Sequence, residues 1–504
     1  MAKLTAADGL SEDEFGSSAS VSGDTALIGA VGDNFGGGWA QGSAYIFHKD
    51  QGGPNAWGQV AKIAAADGAA DDSFAYTVSV SDDTAVVGAV RADVGGNTDQ
   101  GAAYVFYRDQ GGPDAWGQVA KLTAADGAAN DLFGDCVSVS GDTAVVGARY
   151  GSGGLGAAYV FYRDQGGPDA WGQVAKLTAA DGAEDDTFGH AVSVSGDTAF
   201  IGADGAVGDG GSDQGAAYVF YRDQGGPDTW GQVAKLTAAD GATEDHFGYS
   251  VWVSSDTAVI GAVGDDFGGG WAQGSAYIFY RDQGGPNAWG QVAKLAAADG
   301  AAGDEFGLSV SVSGDTAVAG ALLADVSGNS DQGAAYVFYR DQGGPDAWGQ
   351  AAKLTADDGA AEDRFGRSVW VGGDTALIGA YLAWVGGNWR QGAAYVFALP
   401  VAVDDGYCTP EDTPLEVPAA LGVLANDMNR GGDPLTAVLD SGPSYGTLDL
   451  HADGSFTYTS TTGLGGVDTL TYHANDGALD SNIATVQITV PCYYICLPVV
   501  MRSY

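Results

Sequence analysis

The sequence predicts an all-β fold: a seven-bladed β-propeller of four-stranded blades, its ring closed by the N-terminal strand, followed by a β-sandwich domain. Three observations carry that reading. A phrase opening on Phe and running into Val-Ser-Val-Ser-Gly-Asp-Thr-Ala recurs from Phe15, Phe74, Phe133, Phe188, Phe247, Phe306 and Phe365, at spacings of 59, 59, 55, 59, 59 and 59 residues. Within each repeat, apolar residues alternate with small polar ones or form short runs, and no helical period is present. The last repeat lacks its final element, while the chain begins with the end of that same element.

The opening Ala2-Lys3-Leu4-Thr5-Ala6-Ala7-Asp8-Gly9 matches the close of Trp-Gly-Gln-Val-Ala-Lys-Leu-Thr-Ala-Ala-Asp-Gly, which finishes the first six repeats with small changes. The seventh repeat stops at Ala393-Ala394-Tyr395-Val396-Phe397, so the N-terminal segment is expected to supply its outer strand. Trp57, Trp116, Trp171, Trp230, Trp289 and Trp348 have no counterpart before Lys3. Either the closing strand is short, or the coding sequence extends upstream of Met1, where a signal peptide would also lie.

In the repeat from Phe188, Ala191–Ser195 alternates as a first strand and Ala199–Ala203 forms an apolar second strand across the tight turn Ser195-Gly196-Asp197-Thr198. Ala216–Tyr221 is aromatic and β-branched. A breaker-rich turn, Asp223-Gln224-Gly225-Gly226-Pro227-Asp228, leads to the fourth strand at Trp230–Leu236. Small positions set against large ones suit sheets packed face to face about 10 Å apart. An open solenoid would need polar capping repeats, and none is visible. Gly29–Phe47 returns almost unchanged at Gly261–Phe279, 232 residues on, which points to duplication of a four-repeat block.

Pro400–Gly406 changes the composition. The expected organisation is a propeller over 1–399, a linker over 400–406, a sandwich over 407–490 and a tail over 491–504. Sixty-five acidic residues against 20 basic ones give a net charge of −45 and exclude nucleic acid and anionic membrane surfaces as natural partners. No apolar run reaches the roughly 18–20 residues of a membrane span. Met1 is not followed by a secretory signal pattern, and four cysteines are too few for a disulfide-built scaffold.

The Phe-Gly phrase with Gly-Asp-Thr-Ala-Val-Val-Gly-Ala and Gly-Ala-Ala-Tyr-Val-Phe resembles the FG-GAP repeat of the integrin α-subunit propeller and its bacterial relatives, over about residues 1 to 399. The resemblance implies an extracellular recognition or adhesion role. Its calcium loop is not carried over, because Ser-Gly-Asp-Thr stands where the acidic loop would be. Gly-Val-Leu-Ala-Asn-Asp, Gly-Thr-Leu-Asp-Leu-His-Ala-Asp-Gly-Ser-Phe-Thr-Tyr and Asp-Thr-Leu-Thr-Tyr resemble bacterial cadherin-like or immunoglobulin-like modules. That resemblance implies a spacer or attachment domain, with Asp427 and Asp433 as candidate calcium ligands.

In a propeller of this connectivity, the loops entering the first strand and joining the second to the third share one face. There, Asp13, Asp72, Asp131, Asp186, Asp245, Asp304 and Asp363 each stand two residues before the repeat Phe and are candidate metal ligands; turn capping is the competing role. The variable loops carry the candidate ligand-binding residues Asn34, Trp39, Asp99, Asp213, Trp271, Asp331 and Trp389. His190 and His246 are expected to line the core or channel. No nucleophile elbow, phosphate loop or zinc cluster is present, so no catalytic residue is assigned.

The expected function is a non-catalytic, cell-surface or extracellular interaction protein, monomeric as a propeller, binding a protein or glycan through its loop face. No cofactor is required by the sequence, and calcium is the one its acids suit. One alternative is a multivalent lectin whose Trp39, Trp271 and Trp389 stack on sugars. The other is a polysaccharide lyase or hydrolase, which would need a His or paired carboxylates that break the ring's symmetry and converge.

Overall fold

The computed structural model describes residues 1–53, 55–208, 211–266, 270–429, 433–461 and 465–490. Seven four-stranded antiparallel sheets follow the seven repeats, the first six with their strands in sequential order. In the first blade these are Phe15–Ser22, Thr25–Ala30, Ser43–Lys49 and Trp57–Ile63. The seventh blade takes Ala2–Leu4 as its outer strand, with Ala2 opposite Val396, Lys3 opposite Tyr395 and Leu4 opposite Ala394.

Adjacent blades meet in the same way throughout. The repeat Phe bridges the glycine before the preceding blade's third strand, as in Phe188 with Gly156, and Phe15 bridges Gly392 of the seventh blade likewise. The Phe ring packs edge-on against the Tyr and Phe of its own third strand, at 5.4 Å and 6.0 Å for Phe188 with Tyr218 and Phe220. The serines of the phrase join first strands across the seams: Ser138 Oγ accepts Val194 N–H and Ser193 Oγ accepts Val253 N–H, both at 3.0 Å. Each seam also carries a repeated lysine on a repeated carboxylate. Lys235 reaches Asp181 and Lys294 reaches Asp240 at 2.6 Å, and in the seventh blade Lys3 of the N-terminal strand reaches Asp358 at 2.6 Å.

Six of the seven repeats place glycine after the Phe, where conformation and space favour it; the second repeat holds Ala75 there, with φ 66°. Gly16 has φ 93°, and a Cβ there would lie 2.4 Å from the Ala393 carbonyl oxygen. Past it the first strand bulges, with register lost between Phe133 and Val137 in the third blade. The bulge turns the residue after Phe-Gly out of the ladder.

The C-terminal region forms a four-stranded and a three-stranded sheet. The first holds Asp405–Cys408, Asp480–Val490, Gly466–Asn475 and Thr436–Ser441; the second holds Leu415–Val417, Phe456–Ser460 and Gly446–Leu450. Val423, Tyr458, Tyr472, Ala484, Val486 and Ile488 are its buried centre. The tail over 491–504, with Cys492 and Cys496, lies outside the described residues. Cys408 is disulfide-bonded.

Candidate functional site

The loops between second and third strands present aromatic side chains to solvent. Trp39, Trp271 and Trp389 are 66%, 74% and 41% exposed, and Trp384, which sequence reasoning did not single out, is 64% exposed. A clamp shapes these loops: Asn34 Oδ1 accepts Ala40 N–H at 2.9 Å, Asp93 accepts Asp99 N–H at 3.0 Å, and Asp325 accepts Asp331 N–H at 2.9 Å. Asn34 is therefore a loop-forming residue. The tryptophan carbonyls are held by the following loop, Trp39 by Asp71 N–H at 2.8 Å and Trp271 by Gly303 N–H at 2.7 Å. These bonds tie the tryptophan backbone to the loop that enters the next blade. Arg390 lies 4.3 Å over the Trp389 ring.

Asp99, Asp213 and Asp331 adopt left-handed backbone, with φ 50°, 53° and 52°. Their carbonyls accept the N–H of Leu132, His246 and Arg364, the residues before the next repeat Phe. Asp331 also pairs with Arg364 at 3.3 Å. Asp99 and Asp72 line one pocket of about 530 Å³ with Asp67, Asp71, Asp93, Arg91, Thr98 and Lys121.

The seven acids before the repeat Phe are buried. Each accepts the N–H of the residue three earlier: Leu10 to Asp13 and Ala242 to Asp245 at 2.6 Å, Ala69 to Asp72, Ala128 to Asp131 and Ala183 to Asp186 at 2.7 Å, and Ala301 to Asp304 and Ala360 to Asp363 at 2.8 Å. They close the turn that leads into each blade. Burial pushes Asp13 up to about 6, and the same cause raises Asp72, Asp131, Asp245, Asp304 and Asp363. Among the described residues no three His, Cys, Asp or Glu side chains are grouped as a metal site.

In the C-terminal region Asp427 faces Asp405, a residue sequence reasoning passed over. The Tyr472 hydroxyl lies 3.0 Å from both Asp427 oxygens and 3.3 Å from Asp405. Burial lifts both carboxyls to about 7, and for Asp405 the charge of Asp427 adds to it. Asp433 is exposed, and its backbone carbonyl accepts the Asn429 amide at 2.8 Å.

A second group of residues lies at the axis, on the same face as the loops. The bulge after Phe-Gly places Tyr76, Asp135, His190, Tyr249, Leu308 and Arg367 there, and the residue after each Gly-Ala of the second strand stands beside it. In four blades the two columns carry side chains that contact each other. In the third blade Arg149 Nε is 3.5 Å from Asp135 Oδ2. In the fourth, His190 Nδ1 is 2.8 Å from Asp204 Oδ1, which also accepts the Thr187 hydroxyl at 2.6 Å. In the sixth, Leu308 packs on Leu322 and Val263. In the seventh, the Arg367 guanidinium is 5.8 Å from the Tyr381 ring. Neighbouring blades meet here too, with the His190 and Tyr249 rings 4.7 Å apart. Burial opposes protonation of His190, but the Asp204 hydrogen bond and the charge of Asp135 outweigh it and raise its pKa. Sequence reasoning placed His190 and His246 near the core or channel but missed Asp135, Arg149 and Asp204. The paired variation of the two columns was the available signal.

Comparison with known proteins yields two family matches. The FG-GAP repeat matches residues 1–47, 57–106, 116–161, 171–220, 230–279, 289–338 and 348–397, and the bacterial cadherin-like domain matches residues 398–491. No curated protein matches the sequence. Among solved structures, the chain is similar to a periplasmic gluconolactonase of Pseudomonas aeruginosa at 14% identity, covering 68% of this chain and 86% of that one with a TM-score of 0.45. It is similar to the hydrazine synthase of Kuenenia stuttgartiensis at 12% identity, covering 78% and 97% with a TM-score of 0.47. Sqt1 from Chaetomium thermophilum matches at 12% identity over 95% and 97%, with a TM-score of 0.42.

Proposed function

We propose that this chain, which belongs to the FG-GAP repeat family and carries a bacterial cadherin-like domain, is a non-catalytic cell-surface or extracellular interaction protein. The observation that carries the reading is the display of Trp39, Trp271, Trp384 and Trp389 on the variable loops of one propeller face. Burying an aromatic side chain of about 150–250 Å² is worth about 4–6 kcal/mol at about 25 cal/mol/Å². Rings left in water forgo most of that in the free protein and recover it against a partner. The disulfide at Cys408 suits an oxidising compartment, and the charge of −45 disfavours nucleic acid.

The partner class is a protein or glycan of the cell surface or matrix, and the cadherin-like domain serves as spacer or attachment module. Protein displayed on beads is expected to adhere to cells or matrix glycans, and the quadruple Trp→Ala variant to lose that adhesion. Absence of adhesion to cells, glycans and its own kind overturns the reading. A lectin is the second reading, favoured by Trp39 and Trp271 standing in near-identical loops of the first and fifth blades. Binding on a glycan array, lost with both tryptophans, selects it. Calcium is the cofactor this role admits, with Asp405 and Asp427 the facing carboxylates; a calcium-dependent rise in melting temperature, lost in Asp427→Asn, checks that.

A further inference from the structure

The loop between the second and third strands of the seventh blade follows a plan shared with two other blades and departs from it at two positions. Val385 and Asn388 exchange both backbone hydrogen bonds, at 3.2 and 2.9 Å, across a turn in which Gly386 and Gly387 have φ 60° and 96°. Val94 with Asn97 in the second blade and Val326 with Asn329 in the sixth make the same closing pair. The residues just outside such a pair are not hydrogen-bonded to each other, and their side chains share one side of the hairpin and come closest together. In the second blade they are Asp93 and Thr98, and both line the pocket of about 530 Å³. In the sixth they are Asp325 and Ser330, and in the seventh Trp384 and Trp389.

Trp384 takes no part in building its loop. Asp93 and Asp325 accept the N–H that closes theirs, as Asn34 and Asp266 do in the first and fifth blades. An indole has no oxygen to do this, and that of Trp384 is 64% exposed. Trp389 is 41% exposed, and among the described residues neither indole makes a ring contact with another aromatic side chain. The hairpin itself is tied down. Asn388 Nδ2 donates to the Gly9 carbonyl at 3.1 Å and to Gln391 Oε1 at 2.9 Å, and the Trp389 carbonyl accepts Glu12 N–H at 2.8 Å. Two indoles are thus offered to solvent on a fixed backbone, which lowers the cost of ordering the site around a ligand. Their surroundings change with them: Leu382 and Arg390 stand where the second-blade pocket has Arg91 and Asp99, while Glu362 keeps the acid of Asp71. The lysine–carboxylate pair of that pocket is retained, as Lys3 on Asp358 at 2.6 Å.

We propose that Trp384 and Trp389 bind a neutral polysaccharide segment of β-linked pyranoses whose ring hydroxyls are equatorial, as in cellulose. This assignment rests on the loop face being a recognition surface and names what its blade-seven site takes. Indoles pair with flat apolar faces, and a pyranose with only equatorial hydroxyls presents C–H groups on both of its faces. The rim holds a carboxylate and a guanidinium together. Hydroxyls both donate and accept, so one sugar chain serves Glu362 and Arg390, whereas the prolines of a proline-rich peptide offer only carbonyl acceptors. Charge decides among sugars: a chain of net −45 disfavours uronate or sulfated polymers, and Arg390, 4.3 Å over the Trp389 ring, disfavours a cationic aminosugar there. Trp39 and Trp271 stand singly in their loops, with Asn34 and Asp266 at the position of Trp384, so the paired site belongs to the seventh blade.

The test is isothermal titration of the intact protein with cellohexaose, with cellobiose, an oligogalacturonate, an oligomeric chitosan and an oligoproline peptide as comparisons. Cellohexaose is expected to bind at least about tenfold more tightly than any of these. Trp384→Ala and Trp389→Ala, at exposed positions, are each expected to weaken it at least about tenfold with unchanged melting curves, and the Trp39→Ala, Trp271→Ala double variant to change it less than about threefold. Cellohexaose should also blue-shift the parent's tryptophan emission, and the shift should vanish in the Trp384→Ala, Trp389→Ala double variant. Absence of binding by both readouts at about 1 mM cellohexaose, tighter binding of the oligoproline or of either charged oligomer, or parent-like affinity in Trp384→Ala overturns the proposal. Bead adhesion separates the two readings. Adhesion that the quadruple Trp→Ala variant loses, without cellohexaose binding, overturns the pyranose site and keeps the recognition surface; cellohexaose binding by a protein that adheres to nothing keeps the site and overturns the adhesive role.

Discussion

The seams between blades and the axial end of the loop face are built from the same repeat, yet they treat polar groups in opposite ways. At the seams, a serine of one first strand meets the N–H of the next, and a lysine meets a carboxylate one loop away. At the axis, the residue after Phe-Gly changes identity from blade to blade, and Asp135 is buried with both oxygens unpaired. At the repeated positions one contact recurs from blade to blade, as in the lysine–carboxylate pairs from Lys3–Asp358 to Lys353–Asp299. At the axial position each contact is made once, as between Arg149 and Asp135 or between His190 and Asp204.

The largest expected effect tests the repeated side of this contrast. Phe188 is fully buried and packs on Tyr218 and Phe220. Phe188→Ala is expected to cost about 3–5 kcal/mol in chemical denaturation. Arg367→Gln, at the axis, is expected to cost less than about 1 kcal/mol. Equal losses would remove the distinction between a structural seam and an axial site.

A smaller effect sharpens the axial side. His190 is faced by Asp204, Asp135, Arg149 and the Tyr249 ring, and its pKa in the folded protein lies above the ordinary value. The stability it contributes is therefore fully present below the ordinary histidine pKa and is lost as pH rises through the raised one. The charge-assisted bond to Asp204 is worth about 1.5–3 kcal/mol. Denaturation from pH 5 to pH 9 should show that loss in the parent, and Asp204→Asn should remove that part of the pH dependence. The C-terminal carboxyls Asp405 and Asp427, raised to about 7, lose stability in the same sense as pH rises from their ordinary range toward 7. The difference between parent and Asp204→Asn isolates the histidine.

Why the seams were legible and the axis was not follows from what a periodic sequence encodes. Seven copies of the Phe phrase, six of them Phe-Gly, and the split element at Lys3 specify strand number, strand order and the outer strand of the seventh blade. The acids such as Asp72 were visible too, but sequence carries turn capping and metal binding with the same residue, and only the hydrogen bond from Ala69 N–H shows which task it performs here. Asp135 and Arg149 are 14 residues apart and look like ordinary strand-end polar residues. Their meeting depends on the bulge between Phe133 and Val137, which no composition signal announces. Trp384 escaped for a simpler reason, since only the blade-seven loop has a tryptophan at that place.

The smallest effect examines a single seam. Ser193 Oγ accepts Val253 N–H at 3.0 Å between buried partners, and in the next two blades the corresponding residues are Trp252 and Ser311. Trp252 has no hydroxyl to offer the sixth blade, so the Ser193 bond has no counterpart at that seam, while Ser311 restores it to Val371 N–H at 3.1 Å. Ser193→Ala leaves a buried N–H without its acceptor and is expected to cost about 1–3 kcal/mol. Ser193→Thr keeps an acceptor and should recover part of that loss. If Ser193→Ala is neutral, the sixth seam already shows how: side-chain packing of the kind Trp252 provides, and not the serine bond, would be what holds neighbouring blades in register.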